Sequence, residues 1–291
     1  MKEVKALLVF CEGSHDIAFV QQVFKCCLQF QKIEYKFSEY PAPFNALFKT
    51  SVQNHAAKDL SLNMAHKFFL PDSVWEKDER LILLFNSGGS SQIDKVKLLL
   101  KNFLLLLSQA SVFPSDATAI VTEAKYLFLY DADYIGATTL LNKIKQDFAT
   151  LDDKSLWEFG DWIFLEQNPF GAISENKAAY IWGDKIIQKG TLEDILLPMF
   201  AVDQQEIVEK SSNFIDTTFV FETESTKLKH RFAEIAARKK AIITCTGQRK
   251  KSGYSLNVII NHAGLVNENT FLNNDNVKSF VDFLRKFLEI I

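Results

Sequence analysis

The chain has 291 residues, with 33 Lys and Arg against 36 Asp and Glu, which gives a formal net charge of −3. This balance excludes a generally basic, histone-like nucleic-acid binder, since such binding needs an excess of cationic side chains over the whole surface. Hydrophobic residues make up 47% of the chain and charged residues 24%, which excludes intrinsic disorder and predicts one large or two modest domains. The 26 Phe residues are the one compositional excess, and we interpret them as core filling.

Strand and helix patterns alternate in the first half of the chain. Apolar runs typical of strands covered on both faces occur at residues 4–10, 80–85 and 125–130. Helical spacing of apolar residues follows each run, at about residues 14–28, 92–109 and 137–148. Three strand–turn–helix units in series predict an α/β fold with a mostly parallel sheet flanked by helices. Residues 33–40 alternate like a further strand, and the irregular stretch 41–78, with a helix at 54–69, is interpreted as a helical insertion.

The pattern changes past residue 155. Short strands are predicted at 162–166 and 179–182, and Thr191 is the expected N-cap of a helix with acids in its first turn. The remaining elements are predicted as a helix at 227–237, a strand at 241–246 and a closing helix at 276–290. We therefore divide the chain into a core at 1–150 and a C-terminal α/β extension at 151–291.

The four cysteines include no Cys-x-x-Cys pair, so the sequence does not predict a zinc site. This cysteine usage favours a reduced, cytoplasmic protein. No apolar run approaches the ~20 residues that cross a bilayer, so no membrane partner is expected.

Acidic residues follow two of the predicted strands. Glu12 ends the first, and Asp131 and Asp133 end the third, where a period of two would send both carboxylates to the same side. If the two strands are neighbours, these groups and Asp16 converge at one edge of the sheet. Such all-oxygen ligands suit Mg²⁺ or Mn²⁺. A lone Asp-x-Asp motif is more often a solvated turn. The presence of Glu12 at the end of another strand is what favours a metal site here.

Two segments carry a family resemblance. Leu-Val-Phe-Cys-Glu12-Gly-Ser-His-Asp16 and Leu-Phe-Leu-Tyr-Asp131-Ala-Asp133 resemble the Toprim domain of topoisomerases, bacterial primases, recombination-repair proteins and OLD (overcoming lysogenization defect) nucleases. Gly-Thr-Leu-Glu193-Asp-Ile resembles the acidic segment that follows the Asp-x-Asp strand in OLD-type nucleases. The resemblance implies a Rossmann-like Toprim core whose site is completed by the C-terminal extension.

The same resemblance implies the site residues of a two-metal nuclease. The implied ligands of two Mg²⁺ or Mn²⁺ ions are Glu12, Asp16, Asp131, Asp133, Glu193 and Asp194. Glu12, Asp131 and Asp133 are also implied as catalytic residues, with Glu12 either a metal ligand or a general acid/base. For Glu193 and Asp194 the ordinary alternative is that acids in a first helical turn favour the helix dipole.

Basic residues concentrate late in the chain. OLD-type nucleases use a late basic residue, and Lys240 is the best match for contact with the scissile phosphate, with Lys239 close behind. Arg249, Lys250 and Lys251 follow as a predicted nucleic-acid-binding edge, although a solvated basic face is the ordinary explanation of such a run.

The chain contains no Gly-x-x-x-x-Gly-Lys-Ser/Thr segment and so has no P-loop. The resemblance therefore points to a stand-alone Toprim nuclease, or to the effector subunit of a PARIS-type anti-phage system that acts with a separately encoded ATPase. The implied substrates are DNA or tRNA, and a homodimer stays open. Two alternatives also stay open: a catalytically inactive Toprim-like regulatory module that binds a protein partner, and a phosphotransferase of the receiver or phosphatase type.

Overall fold

The computed structural model describes residues 2–56, 70–89, 92–110, 118–149, 163–164 and 168–290. Its strands are β1 (Lys2–Cys11), β2 (Gln31–Ile33), β3 (Ser73–Lys77), β4 (Arg80–Asn86), β5 (Ala119–Asp131), β6 (Ile163–Phe164), β7 (Gly171–Ile173) and β8 (Lys177–Trp182). Its α-helices are α1 (Ser14–Gln22), α2 (Phe44–Ala56), α3 (Ile93–Ala110), α4 (Ala137–Ala149), α5 (Glu193–Thr218), α6 (Leu228–Gln248), α7 (Leu256–His262), α8 (Glu268–Leu272) and α9 (Asp275–Leu288).

The strands form one sheet in the order β2-β3-β4-β1-β5-β8-β7-β6. The four central strands, β4, β1, β5 and β8, run parallel to one another. On the two flanks, β3 and β7 run antiparallel to their neighbours, and β2 and β6 reverse direction again. Every strand except β3 and β7 therefore points the same way. The predicted α/β fold with a mostly parallel sheet is confirmed.

A ladder of aromatic rings fills the centre of this sheet. Phe10 on β1 lies in register with Phe85 on β4 and Phe128 on β5. Its ring stacks on each neighbour at a centroid distance of 5.4 Å, and all three side chains are fully buried. Burial of rings of this size dominates core energetics, which explains the Phe excess. Phe214 and Phe219, at the far end of α5, are exceptions that stay about half exposed.

Helices α5 and α6 pair as a long hairpin. Arg238 on α6 holds Asp216 on α5 at 2.5 Å from two of its guanidinium nitrogens. Because α6 continues to Gln248, the strand predicted at 241–246 is wrong. The β-branched residues there form a buried face of α6 that packs against α7. The two helices approach closely, since an added Cβ on Gly247 would lie 2.3 Å from Ile259. Tertiary packing thus overrides the local strand preference.

Three further sequence predictions differ from the structure. Of the strand predicted at 33–40, only the first residue lies in β2, and residues Phe37–Glu39 form a 3-10 turn instead, capped by Glu39. The stretch 41–78 holds α2, but it also supplies β3, which pairs with β4 inside the sheet. The turn after β1 predicts Ser14 as the N-cap of α1, but Ser14 is the first residue of the helix and Gly13 is its N-cap. Most of the helix predicted at 54–69 and of the strand predicted at 162–166 lies outside the described residues.

All four cysteines carry free thiols. Over the described residues, none of the helices combines the length and the apolar character needed to cross a membrane.

Candidate active site

Glu12 and Asp131 meet at the carboxyl end of the sheet. Strands β1 and β5 are parallel neighbours, which is the condition under which their acids converge. The Oε2 atom of Glu12 accepts the backbone N–H of Asp131 at 3.1 Å. Burial raises the pKa of Glu12, and the charges of Asp133 and Glu193 raise it further.

Asp16 lies beneath this pair in the first turn of α1. Its Oδ2 atom accepts the N–H of Gly13 at 2.9 Å, which fixes the side chain at the start of the helix. The side chain is only 5% exposed, and its Oδ1 atom is buried without a hydrogen-bond partner among the described residues. Burial first, and then the charges of Glu12 and Glu193, raise the pKa of Asp16 from 3.8 to about 7.

Glu193 brings a third chain segment into the cluster. Its side chain is buried at the first residue of α5, and the preceding residue, Leu192, donates its N–H to Asp131 Oδ1 at 2.8 Å. Burial raises the pKa of Asp131 well above its ordinary value, and the charges of Asp16, Glu193 and Glu12 add to that effect. Carboxylates from β1, α1, β5 and α5 therefore share one poorly hydrated site.

Asp133 reaches the cluster by a different route from the one that strand periodicity predicts. Strand β5 ends at Asp131, and Asp133 adopts a left-handed backbone with φ of 49°. Two backbone hydrogen bonds with Gly190 hold it: the N–H of Asp133 donates to the carbonyl of Gly190 at 2.7 Å, and the N–H of Gly190 donates back at 2.9 Å. The pKa of its carboxyl is raised by burial and by Glu193, and lowered by Lys229.

Gly190 is the tightest backbone position at the site, so we expect Gly190→Ala to be costly. Its φ is 108°, and an added Cβ would lie 2.3 Å from Oδ2 of Asp194. We expect a loss of about 2 kcal/mol or more in the free energy of unfolding, measured by urea denaturation. Gly253 is the matched control, because it also has a left-handed φ, 78°, but open space around it. Equal losses for the two substitutions would contradict the steric argument.

Asp194 has local contacts. One carboxylate oxygen accepts the N–H of Thr191 at 2.9 Å, and the other pairs with Nζ of Lys239. The prediction that Thr191 caps α5 is wrong, since the N-cap residue is Leu192 and the hydroxyl of Thr191 is buried without a partner among the described residues. Asp194 and Lys239 therefore fasten the start of α5 to α6.

Lys240 is the predicted cation that the structure places at the carboxylates. Its Nζ atom lies 3.4 Å from Oε1 of Glu193, and its side chain is 47% exposed. Nδ1 of His15 lies 3.9 Å from the same oxygen. Burial and the charge of Lys240 lower the pKa of His15, which favours a neutral ring.

The remaining predicted cations lie past the end of α6. Arg249, Lys250 and Lys251 follow the last residue of α6 in a turn, where the N–H groups of Lys250 and Lys251 donate to the carbonyl of Gly247. Lys251 lies with its Nζ 6.0 Å from the ring centroid of Tyr254.

Two cations near the site were missed by the sequence reasoning. Lys229 lies near enough to Asp133 to lower the pKa of its carboxyl, and Lys189 places its Nζ 5.7 Å from the ring centroid of Phe232. Lys229 precedes Lys240 by eleven residues, or three helical turns, a signal hidden because the predicted helix ends at residue 237.

The chemistry of this donor set fits Mg²⁺ or Mn²⁺, which prefer carboxylate oxygens. The Oδ1 atom of Asp16 has no hydrogen-bond partner among the described residues, and the pKa values of Asp16 and Asp131 are raised. Both observations fit carboxylates that lack a neutralising cation. As the side chains stand, however, no three His, Cys, Asp or Glu residues within the described ranges form a group spaced to hold an ion. The oxygens of Glu12 and Asp131 described above accept backbone N–H groups instead.

Comparison with known proteins adds information on the fold. No protein-family model matches the chain, and no curated protein matches it significantly. The crystal structure of a hypothetical protein from Pyrococcus horikoshii OT3 is similar, with a TM-score of 0.51 and 12% sequence identity. The match covers 100% of this chain and 99% of that one. At this identity the likeness shows a shared fold alone.

Proposed function

We propose that this protein is a divalent-metal-dependent nuclease of the Toprim type. The observation that carries the proposal is the meeting of Glu12, Asp16, Asp131 and Glu193 at one edge of the sheet, with Lys240 beside them. Carboxylates that repel one another in a buried site lower the free energy of unfolding. Metal binding is the chemistry that best accounts for such an arrangement.

The carboxylates would hold Mg²⁺ or Mn²⁺ at the carboxyl ends of β1 and β5. When bound, such ions supply positive charge to a phosphodiester and lower the pKa of a water molecule. Asp131 and Glu12 would hold the ions from the sheet, and Asp16 and Glu193 from the helices. Glu12 has a raised pKa, which also suits it to proton transfer at the reacting phosphate.

Lys240 would bind the scissile phosphate. Its side chain is half exposed and borders the cluster, so its ammonium can leave Glu193 for a phosphate oxygen. There it would neutralise charge that develops during cleavage. DNA and tRNA are the substrates that the OLD and PARIS resemblance suggests, and an ATPase partner and a role in anti-phage defence belong to the same proposal.

A cleavage assay tests the proposal directly. Purified protein is incubated with plasmid, single-stranded DNA and total tRNA in Mg²⁺, in Mn²⁺ or in EDTA. We expect cleavage that requires the metal and is lost in Glu12→Gln, which keeps the acceptor for the N–H of Asp131. Calorimetric titration with Mn²⁺ gives a second readout. Absence of both cleavage and metal binding, also with the ATPase partner present, would overturn the proposal and favour the inactive regulatory module.

A further inference from the structure

A row of lysines runs along one side of the carboxylate cluster. On α6, Lys229 lies near Asp133, and Lys240 lies 3.4 Å from Glu193. Eleven residues separate the two lysines, so they share a helix face and stand about 16 Å apart along the axis. Phosphates that pass the cluster on this side would meet a cation at each end.

A third lysine and an aromatic ring lie between these ends. Lys189 precedes the bridge glycine of the site, and its aliphatic chain passes 3.8 Å from where a Cβ of Gly136 would be. Its ammonium lies 5.7 Å from the ring centroid of Phe232. Phe232 is half-buried and comes three residues after Lys229, on the same face of α6.

Lys229 differs from its basic neighbours, since it has no hydrogen-bond or ion-pair partner among the residues that the structure describes. Arg238 is held by Asp216, and Lys239 is held by Asp194. Lys229 is exposed and makes neither a hydrogen bond nor an ion pair within the described part of the chain. A cation left free beside an acidic site is available to a ligand that carries phosphate.

We propose that Lys189, Phe232 and Lys229 form a subsite for an unpaired nucleotide beside the scissile phosphate, so that the substrate is a single-stranded nucleic acid. The inference rests on the proposed nuclease function. An aromatic ring can stack on a base only when that base is not stacked within a duplex. The two lysines would bind the flanking phosphates as point charges.

Binding without cleavage tests the subsite. Fluorescence anisotropy in EDTA compares a single-stranded oligonucleotide of about 12 nucleotides with its duplex, using the Asp131→Asn protein as host for every variant. We expect the single strand to bind at least about tenfold more tightly than the duplex. Phe232→Leu should weaken single-strand binding about tenfold, whereas Phe232→Trp should preserve it, because only the second retains a ring for stacking.

The lysines have their own expected signature. Lys229→Ala should reduce the slope of log affinity against log salt by about 0.7, the value for one lost contact to a single-stranded phosphate. Lys278→Ala is the matched control, since Lys278 is an exposed lysine on α9 paired with Asp275. It should leave both affinity and slope unchanged.

Two results would overturn the inference alone. One is equal affinity for single strand and duplex, and the other is a Phe232→Leu variant that folds, by circular dichroism, and binds like its host. In either case, metal-dependent cleavage of the plasmid by the wild-type protein would leave the nuclease proposal standing. If no form binds any nucleic acid and the wild type cleaves none, both proposals fail.

Discussion

An Asp131→Asn substitution is expected to lower metal-dependent cleavage by at least about a thousandfold, equal to about 4 kcal/mol of transition-state stabilisation. The asparagine keeps an oxygen that can accept the N–H of Leu192, at present bonded at 2.8 Å, so the backbone of the site should hold. What it loses is the charge that attracts a divalent cation. Initial rates in Mg²⁺ measure the effect.

The same substitution is expected to stabilise the metal-free protein. Asp131 is raised in pKa by burial and by Asp16, Glu193 and Glu12, so its ionised form is unfavourable in the folded state near neutral pH. Removing one of these like charges should add about 1–2 kcal/mol, read as a higher Tm in EDTA at pH 8. Opposite changes in activity and stability are what separates a functional acid from a structural one.

Asp282→Asn provides the matched control for both measurements. Asp282 is exposed on α9, and within the described part of the chain its ion pair is a long one, 3.8 Å to Arg285. Neither the cleavage rate nor the Tm should change by more than experimental error. An Asp131→Asn protein that cleaves like the wild type, or that melts at a lower temperature in EDTA, would count against a metal role for Asp131.

The second large effect is a loss of stability of the metal-free protein as pH rises. The pKa of Asp16 is raised from 3.8 to about 7, so the folded state holds this proton more tightly than the unfolded state does. The corresponding stability, on the order of 4 kcal/mol, is fully present below pH 4 and is lost as pH rises through about 7. Tm measured in EDTA between pH 5 and pH 8 should fall.

Divalent metal should reverse this trend. At pH 8 the carboxylates are ionised and ready to bind, whereas at pH 5 protons compete for the same oxygens. Mg²⁺ at about a hundred times its Kd should add about 2.7 kcal/mol at pH 8, and much less at pH 5. The Asp131→Asn protein should lose most of this gain. A gain that is equal at both pH values, or equal in wild type and variant, would mean that Mg²⁺ acts elsewhere.

The sequence predicts the central fold because local and tertiary preferences agree there. The runs that become β1, β4 and β5 are apolar on both faces, and the structure covers both faces. Their polar ends then meet because the strands are parallel and adjacent, which is how Glu12 and Asp131 could be named in advance. Glu193 could be named only from a family resemblance, since nothing local distinguishes it from an acid that favours a helix dipole.

The cationic side of the site could not be predicted in the same way. Residues 241–246 are mostly β-branched and are predicted as a strand, so the predicted helix ends at residue 237 and leaves Lys240 off the face that it shares with Lys229. Packing of α6 against α7 decides the matter, and such packing is not encoded in a short window. Likewise, the left-handed backbone of Asp133 depends on its bridge to Gly190, far along the chain.

The central position of β1 has a consequence for biosynthesis. The contact between Glu12 and Asp131 spans 119 residues, and Lys240 lies beside Glu193 at the same site. Translation must therefore pass residue 240 before the acids and their cation can assemble, and contacts of this range form slowly. A nascent chain would hold its first strand without either neighbour and would lack the assembled carboxylate cluster. If the proposed nuclease activity holds, an unfinished polypeptide would therefore not cleave the nucleic acids of the ribosome that makes it.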